Sequence, residues 1–250
     1  MNAYPTLVFD AGGTLLQLDL DALARTYVAT ARAADVEVEF AAARAVVGEL
    51  EREIPARQQT RIVSLEHDNG KLFWDEFFGD GFRRLGVTRE MTPAVTEIRE
   101  RFQRAEYETI FADVLPTLAA LTARGVRLGI LSNFSPNLEN VLRQVGIHQY
   151  FTFFVVSAIA GVEKPDPRIF DLTVRAAACA PTAMAYIGDS IFHDIEGAQR
   201  AGIAAILVDR QDRYPAFRGA RVRDEVVEGI RNPASGSALC LCILPVQVRP

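Results

Sequence analysis

Lysine is nearly missing from this 250-residue chain: Lys71 and Lys164 are the only two among 27 basic residues, and the others are arginines. The 32 acidic residues outnumber them, the net charge is −5, and no basic block stands out. That balance argues against a nucleic-acid-binding stripe and against a polybasic membrane patch. Cysteine is scarce as well. Cys179, Cys240 and Cys242 are an odd number in a chain too long to need staples, which points to free thiols in a reducing compartment. No apolar run approaches the ~20 residues of a membrane helix. The opening MNAYPTLVFDAGG has no basic stretch leading into an apolar one, so the expected location is cytoplasmic. Of the histidines, His67 and His148 lack His or Cys partners at ligand spacing, and His193 reads as a loop residue. There are no repeats, and a composition 49% apolar and 24% charged excludes collagen-like, coiled-coil and disordered chains.

What is present is an interrupted alternation. Thr6–Phe9 is a short β-branched and aromatic run that ends at Asp10 and a Gly-Gly pair, the pattern of a buried strand entering a turn. From residue 16 to 110 the apolar spacing is helical throughout, with helices expected over 21–34, 39–54, 64–85 and 92–108. Phe73, Trp74, Phe77 and Phe78 recur there at core-packing spacing. Beyond residue 110, helices (114–124, 137–145, 167–178, 194–201) alternate with strands (127–131, 153–157, 183–187, 204–208), which predicts a parallel sheet flanked by helices. The expected fold class is therefore α/β, a Rossmann-like parallel sheet built from 1–15 and 111–232, with 16–110 inserted as a helical cap over the carboxyl ends of the strands, where such folds place ligands. Residues 233–250, which contain the Cys240-Leu241-Cys242 pair, form a tail without an assigned place.

Polar residues collect at four strand ends. Asp10-Ala11-Gly12-Gly13-Thr14 follows the first strand, with glycines that let a ligand approach the backbone. Ser132-Asn133 follows the apolar run 128–131. Lys164-Pro165-Asp166-Pro167 sets a cation before the prolines that open a helix. Gly188-Asp189-Ser190-Ile191-Phe192-His193-Asp194 carries two carboxylates five residues apart. Taken singly, Ser132-Asn133 also reads as a plain strand-to-helix turn, and Asp194 as an N-cap.

Together, in this order, the four segments resemble the four motifs of the haloacid dehalogenase-like hydrolase superfamily, in its branch with helical caps, over about residues 6–210. The resemblance implies an enzyme with an aspartyl nucleophile and Mg²⁺. Asp10 would attack the phosphorus of a small phosphorylated substrate. Mg²⁺ would sit on Asp10, Asp189 and the backbone carbonyl of Gly12, with Asp194 holding its water or Lys164 from behind. Ser132, Lys164, the Asn133 backbone N–H and Thr14 would grip the phosphoryl oxygens. Gly12 departs from the family pattern, because most phosphatases of the family carry a second aspartate there as general acid and base. Its loss costs roughly 2.7–5.4 kcal/mol of barrier, least for acyl or aryl phosphates whose leaving group needs no proton.

Three functions fit. One is a Mg²⁺-dependent phosphatase with weakened acid–base catalysis. Another is a dehalogenase or a phosphonate-cleaving enzyme, which lack that aspartate; the latter uses a cap lysine as a Schiff base, a part Lys71 would play if it is not simply solvated. The third is a catalytically weak protein that binds a phospho-ligand or partner.

Overall fold

The computed structural model describes residues 4–222, apart from Thr60 and Ile62. Cys240, Cys242 and the tail at 233–250 lie outside the described residues, as does the expected end of the core at 223–232. The strands are β1 (Thr6–Phe9), β2 (Leu16–Leu18), β3 (Glu108–Ile110), β4 (Arg127–Ser132), β5 (Phe153–Val156), β6 (Met184–Gly188), β7 (Ala204–Val208) and β8 (Arg221–Val222). Six of them form one parallel sheet in the order β5-β4-β1-β6-β7-β8. The helices are α1 (Leu20–Ala33), α2 (Phe40–Gln59), α3 (His67–Arg84), α4 (Thr92–Gln103), α5 (Val114–Ala123), α6 (Leu138–Gln144), α7 (Ser157–Ala160), α8 (Pro167–Ala177) and α9 (Glu196–Arg200).

The chain divides into two compact units, Met1–Leu16 with Ile110–Pro250, and Gln17–Thr109. In the first, β1 is central, with Phe9 paired to Ile130 of β4 and to Ile187 of β6. Its alternating side chains serve both faces of the sheet. Val8 packs with Leu131 and Tyr186 against Ile169 and Phe170 of α8. Leu7 and Phe9 turn the other way and line an apolar cavity with Leu118 and Leu121 of α5. Val8, Ile130 and Leu131 are fully buried, each worth ~1.5–3 kcal/mol of transfer from water. α8 begins where Asp166 accepts the N–H of Arg168 at 2.9 Å, with Pro167 in the first turn.

The second unit has its own core, in which Leu23, Tyr27, Phe77, Phe78, Phe82 and Ile98 are buried. Tyr27 donates its hydroxyl to the Phe78 carbonyl at 2.8 Å. Trp74 stacks on Phe78 and packs edge-on to Phe77, so the aromatic run is core.

Three expectations are corrected. Residues 16–110 are not all helical, because β2 and β3 pair with each other as a two-stranded sheet. Three-residue strands whose partners lie some ninety residues apart carry no local periodicity to read. The helix expected to reach 108 stops at Gln103, since Ala105 adopts φ 60° and turns the chain out of the helix. α2 continues through Pro55 to Gln59, with Arg57 of its last turn held by Glu53 and by Asp80 of α3.

Candidate active site

The sheet register assembles the site. Phe9, Ile130 and Ile187 are level, so Asp10 emerges between the ends of β4 and β6, with Ser132 and Asp189 two residues beyond their paired neighbours. The Asp10 N–H donates to the Ile187 carbonyl at 2.8 Å, which fixes the turn on the sheet edge. Leu15 and Leu16 N–H groups both donate to the Ala11 carbonyl at 2.8 Å, closing the loop that carries Gly12 and Gly13. Gly13 has φ 74°, and a Cβ there would stand 2.5 Å from Asp189 Oδ2, so only glycine lets the loop pass this carboxylate. A Cβ on Gly12 would meet nothing within 4 Å.

Lys164 is the hub. Its side chain is 3% exposed, and Nζ donates to Asp10 Oδ1 at 2.8 Å, to Asp194 Oδ1 at 2.6 Å and to the Tyr186 hydroxyl at 2.8 Å, using all three of its donors. The Tyr186 hydroxyl lies 3.0 Å from Asp194 Oδ1 and 2.9 Å from the Leu131 carbonyl, and donates to one of them. Asp194 Oδ2 accepts the Ser190 N–H at 2.9 Å. Asp194 is therefore an anchor for Lys164 and not a helix N-cap; it lies in a wide π-helical turn, Ile191–Ile195, that precedes α9. Asn133 holds the lysine from its backbone side, accepting the Lys164 N–H at 2.7 Å and donating to the Lys164 carbonyl at 2.9 Å.

The electrostatics follow from burial. Burial raises the Asp10 carboxyl, the Asp194 charge adds to this, and Lys164 and Ser132 only partly offset it. Burial alone would lower the Lys164 ammonium, but Asp10 and Asp194 outweigh it and hold it well above the usual lysine range. Burial, with the charges of Asp194 and Asp10, pushes Asp189 up to about 7 against the pull of Arg213. Three buried carboxylates that disfavour each other's charge call for added positive charge. Oxygens of Asp10, Asp189 and Asp194 lie within 4.8 Å of one another, a hard, anionic donor set that fits a divalent cation such as Mg²⁺.

Of the residues singled out in the sequence, Asp10, Ser132, Asn133, Lys164, Asp189 and Asp194 are brought together, with Gly12 on the adjoining loop. Thr14 differs: its hydroxyl is buried without a hydrogen-bond partner among the described residues, the residue lines the apolar cavity beneath α5, and its carbonyl accepts from Arg210 Nη2 at 3.0 Å. Lys71 pairs with Asp75 one turn along α3 at 2.5 Å. His193 turns its backbone N–H and Nδ1 to the Ser190 hydroxyl. Sequence reasoning missed Tyr186 and Arg213. Tyr186 had a signal, since a phenol inside an apolar strand needs a partner; Arg213, which reaches Asp189 Oδ2 at 2.7 Å from 24 residues downstream, had none.

The model of the haloacid dehalogenase-like hydrolase family matches residues 4–202. The chain belongs to this family. Haloacid dehalogenase-like hydrolase domain-containing protein 3 of Mus musculus is 30% identical over 212 residues, covering 81% of this chain and 80% of its own. Phosphoserine phosphatase of Thermus thermophilus is 30% identical over 223 residues, covering 82% and 88%. The structure of L-2-haloacid dehalogenase from Xanthobacter autotrophicus superposes with a TM-score of 0.63 at 20% identity over 84% of this chain and 79% of its own, a likeness of fold alone. As a haloacid dehalogenase-like hydrolase the chain is an enzyme.

Proposed function

We infer that this hydrolase is a phosphatase that acts on a small phosphorylated substrate through Asp10. The observation that carries this reading is the contact of Lys164 Nζ with Asp10 Oδ1 at 2.8 Å and Asp194 Oδ1 at 2.6 Å, beside the third carboxylate of Asp189. Lys164 favours the ionised form of Asp10 against the effect of burial and holds one of its oxygens, so the other is the attacking atom at phosphorus, and the bond to the leaving oxygen breaks as an aspartyl-phosphate forms. The ammonium also meets the charge of the phosphoryl group in a setting that excludes water, where such contacts are strongest. Asn133 and Asp194 position that ammonium from its two ends. The Ser132 hydroxyl stands at the end of β4 for a phosphoryl oxygen. Asp10, Asp189 and the Gly12 carbonyl would hold Mg²⁺, which supplies further positive charge to the phosphoryl oxygens when bound. The phosphatase named among the relatives supports this class of substrate.

The test is phosphate release from an aryl phosphate such as p-nitrophenyl phosphate. Turnover is expected with Mg²⁺, lost with Asp10→Asn and lost in excess chelator; turnover that survives either change overturns the reading. Gly12 favours a second reading, a protein that retains phospho-ligand binding with little turnover. It predicts a ligand-dependent rise in melting temperature without phosphate release.

A further inference from the structure

Arg213 lies on the loop after β7, and the loop is tied down by Asp209. The carboxylate of Asp209 is fully buried and accepts the N–H groups of Arg213 at 2.7 Å and Tyr214 at 2.9 Å, and Nη2 of Arg221 at 2.6 Å. The arginine side chain therefore starts from a fixed backbone position. From there Nη2 donates to Asp189 Oδ2 at 2.7 Å and approaches the Asp189 carbonyl at 3.4 Å. The pair is sheltered, with Asp189 13% and Arg213 26% exposed. Arg213 Nε is buried without a hydrogen-bond partner among the described residues, so the guanidinium leaves one donor unsatisfied while it reaches this carboxylate.

The charge balance gives that contact its meaning. Among the described residues, Asp10, Asp189 and Asp194 are paired with two cations, Lys164 and Arg213, and Lys164 contacts Asp10 and Asp194 but makes no hydrogen bond to Asp189. Asp189 therefore depends on Arg213 whenever no metal is bound, because an unpaired buried carboxylate is costly. A divalent cation asks for the same carboxylate. Resting on the metal reading above, we propose that Arg213 is a tethered cation that a divalent metal displaces from Asp189. Metal loading is then an exchange of partners on one carboxylate. The arginine weakens metal affinity and steadies the metal-free protein. Gly12 works in the same direction, since an aspartate there would add a carboxylate and tilt the exchange toward the metal.

The experiment uses the full chain stripped with EDTA and titrated with MgCl₂, followed by calorimetry and by thermal melting. Arg213→Gln is expected to bind Mg²⁺ about tenfold more tightly than wild type, the scale of one lost charge-assisted competitor, and to melt lower in EDTA. Arg213→Lys keeps a cation and is expected to stay near wild type. In unmutated protein, phenylglyoxal labelling of Arg213, located by peptide mass spectrometry, is expected to rise when Mg²⁺ is added; this arm decides the matter if the glutamine variant fails to fold. Equal or weaker Mg²⁺ binding by Arg213→Gln, a lysine variant as tight as the glutamine variant, or labelling unchanged by Mg²⁺ overturns the exchange while leaving the metal site standing. If neither wild type nor variant binds Mg²⁺, the metal reading itself falls, and the exchange with it.

Discussion

Two adjacent glycines in the loop after β1 have opposite requirements. Gly13 combines φ 74° with a Cβ position 2.5 Å from Asp189 Oδ2, so Gly13→Ala must both strain the backbone and push the carboxylate aside. A cost of about 1–3 kcal/mol in stability is expected, together with loss of the Mg²⁺-induced rise in melting temperature. An alanine variant with wild-type melting in both conditions would show that the loop yields freely. Gly12 is the reverse case, with open space for a side chain and no left-handed backbone. Gly12→Asp is therefore expected to fold normally and to restore the missing proton donor, with a gain of about 10²-fold or more in phosphate release from an alkyl phosphate and a smaller gain on an aryl phosphate. No gain on either substrate would mean that the surrounding frame has lost its phosphatase geometry. Asp10, Ser132, Lys164 and Asp189 could be singled out from sequence because each is a polar residue just beyond an apolar run or beside a helix-opening proline, and Asp194 only as the second carboxylate of a pair five residues apart within a family-like segment. The supports were harder to read: the Asn133 side chain grips a backbone 31 residues away, Tyr186 offered only the hint of a phenol inside an apolar strand, and Arg213 acts through a loop path that no local pattern records.

At the scale of elements, α2 and α3 are bound by charge as well as by apolar packing. Arg57 of α2 donates to Asp80 of α3 at 2.6 Å, and Arg84 of α3 reaches Glu53 of α2 at 2.8 Å and Asp80 at 3.1 Å. Burial by itself would raise the Asp80 carboxyl, but hydrogen bonding to Arg57 and the Arg84 charge hold it below its ordinary 3.8. Glu53 is held below 4.5 by its hydrogen bonds from Arg84 and Arg57. A carboxyl depressed in the folded state contributes stability that is complete above its unfolded pKa and lost as pH falls through the folded one. Melting temperature is thus expected to fall as pH drops below about 4, and Asp80→Asn to flatten that fall while lowering stability at pH 7. An unchanged acid profile in Asp80→Asn would remove these pairs from the account. The elements themselves were readable wherever a helix or strand has its own periodicity: β1 and β7 begin and end at the expected residues, and α3 and α8 within a few. What failed were β2 and β3, three residues long and defined only by partners some ninety residues away, the two-residue β8, and the π-helical turn at Ile191–Ile195, which Asp194 stabilises by bonding to Ser190 and Lys164.

At the scale of the whole molecule, every residue assigned to the chemistry lies in one unit, although that unit is built from two stretches separated by residues 17–109. The two stretches are already joined where the insert leaves and returns: the Phe111 N–H donates to the Leu15 carbonyl at 3.3 Å, and β1 pairs on both sides with strands from beyond the insert. Each unit has a buried cluster of its own, with Val8, Leu131 and Tyr186 in one and Tyr27, Phe77 and Phe78 in the other. A chain in which a short Gly-Ser turn replaces residues 17–109 should then keep its sheet. Shortening a closed loop lowers the entropy cost of bringing its ends together, by ~0.6 kcal/mol for each halving of length. The shortened protein is expected to unfold cooperatively, to retain a Mg²⁺-dependent rise in melting temperature, and to hydrolyse an aryl phosphate with little discrimination among leaving groups, if the insert is what selects the substrate. Loss of metal-dependent stabilisation in a cooperatively folding variant would mean that the insert shapes the carboxylate cluster itself; non-cooperative melting would mean that the first unit depends on the second for its stability.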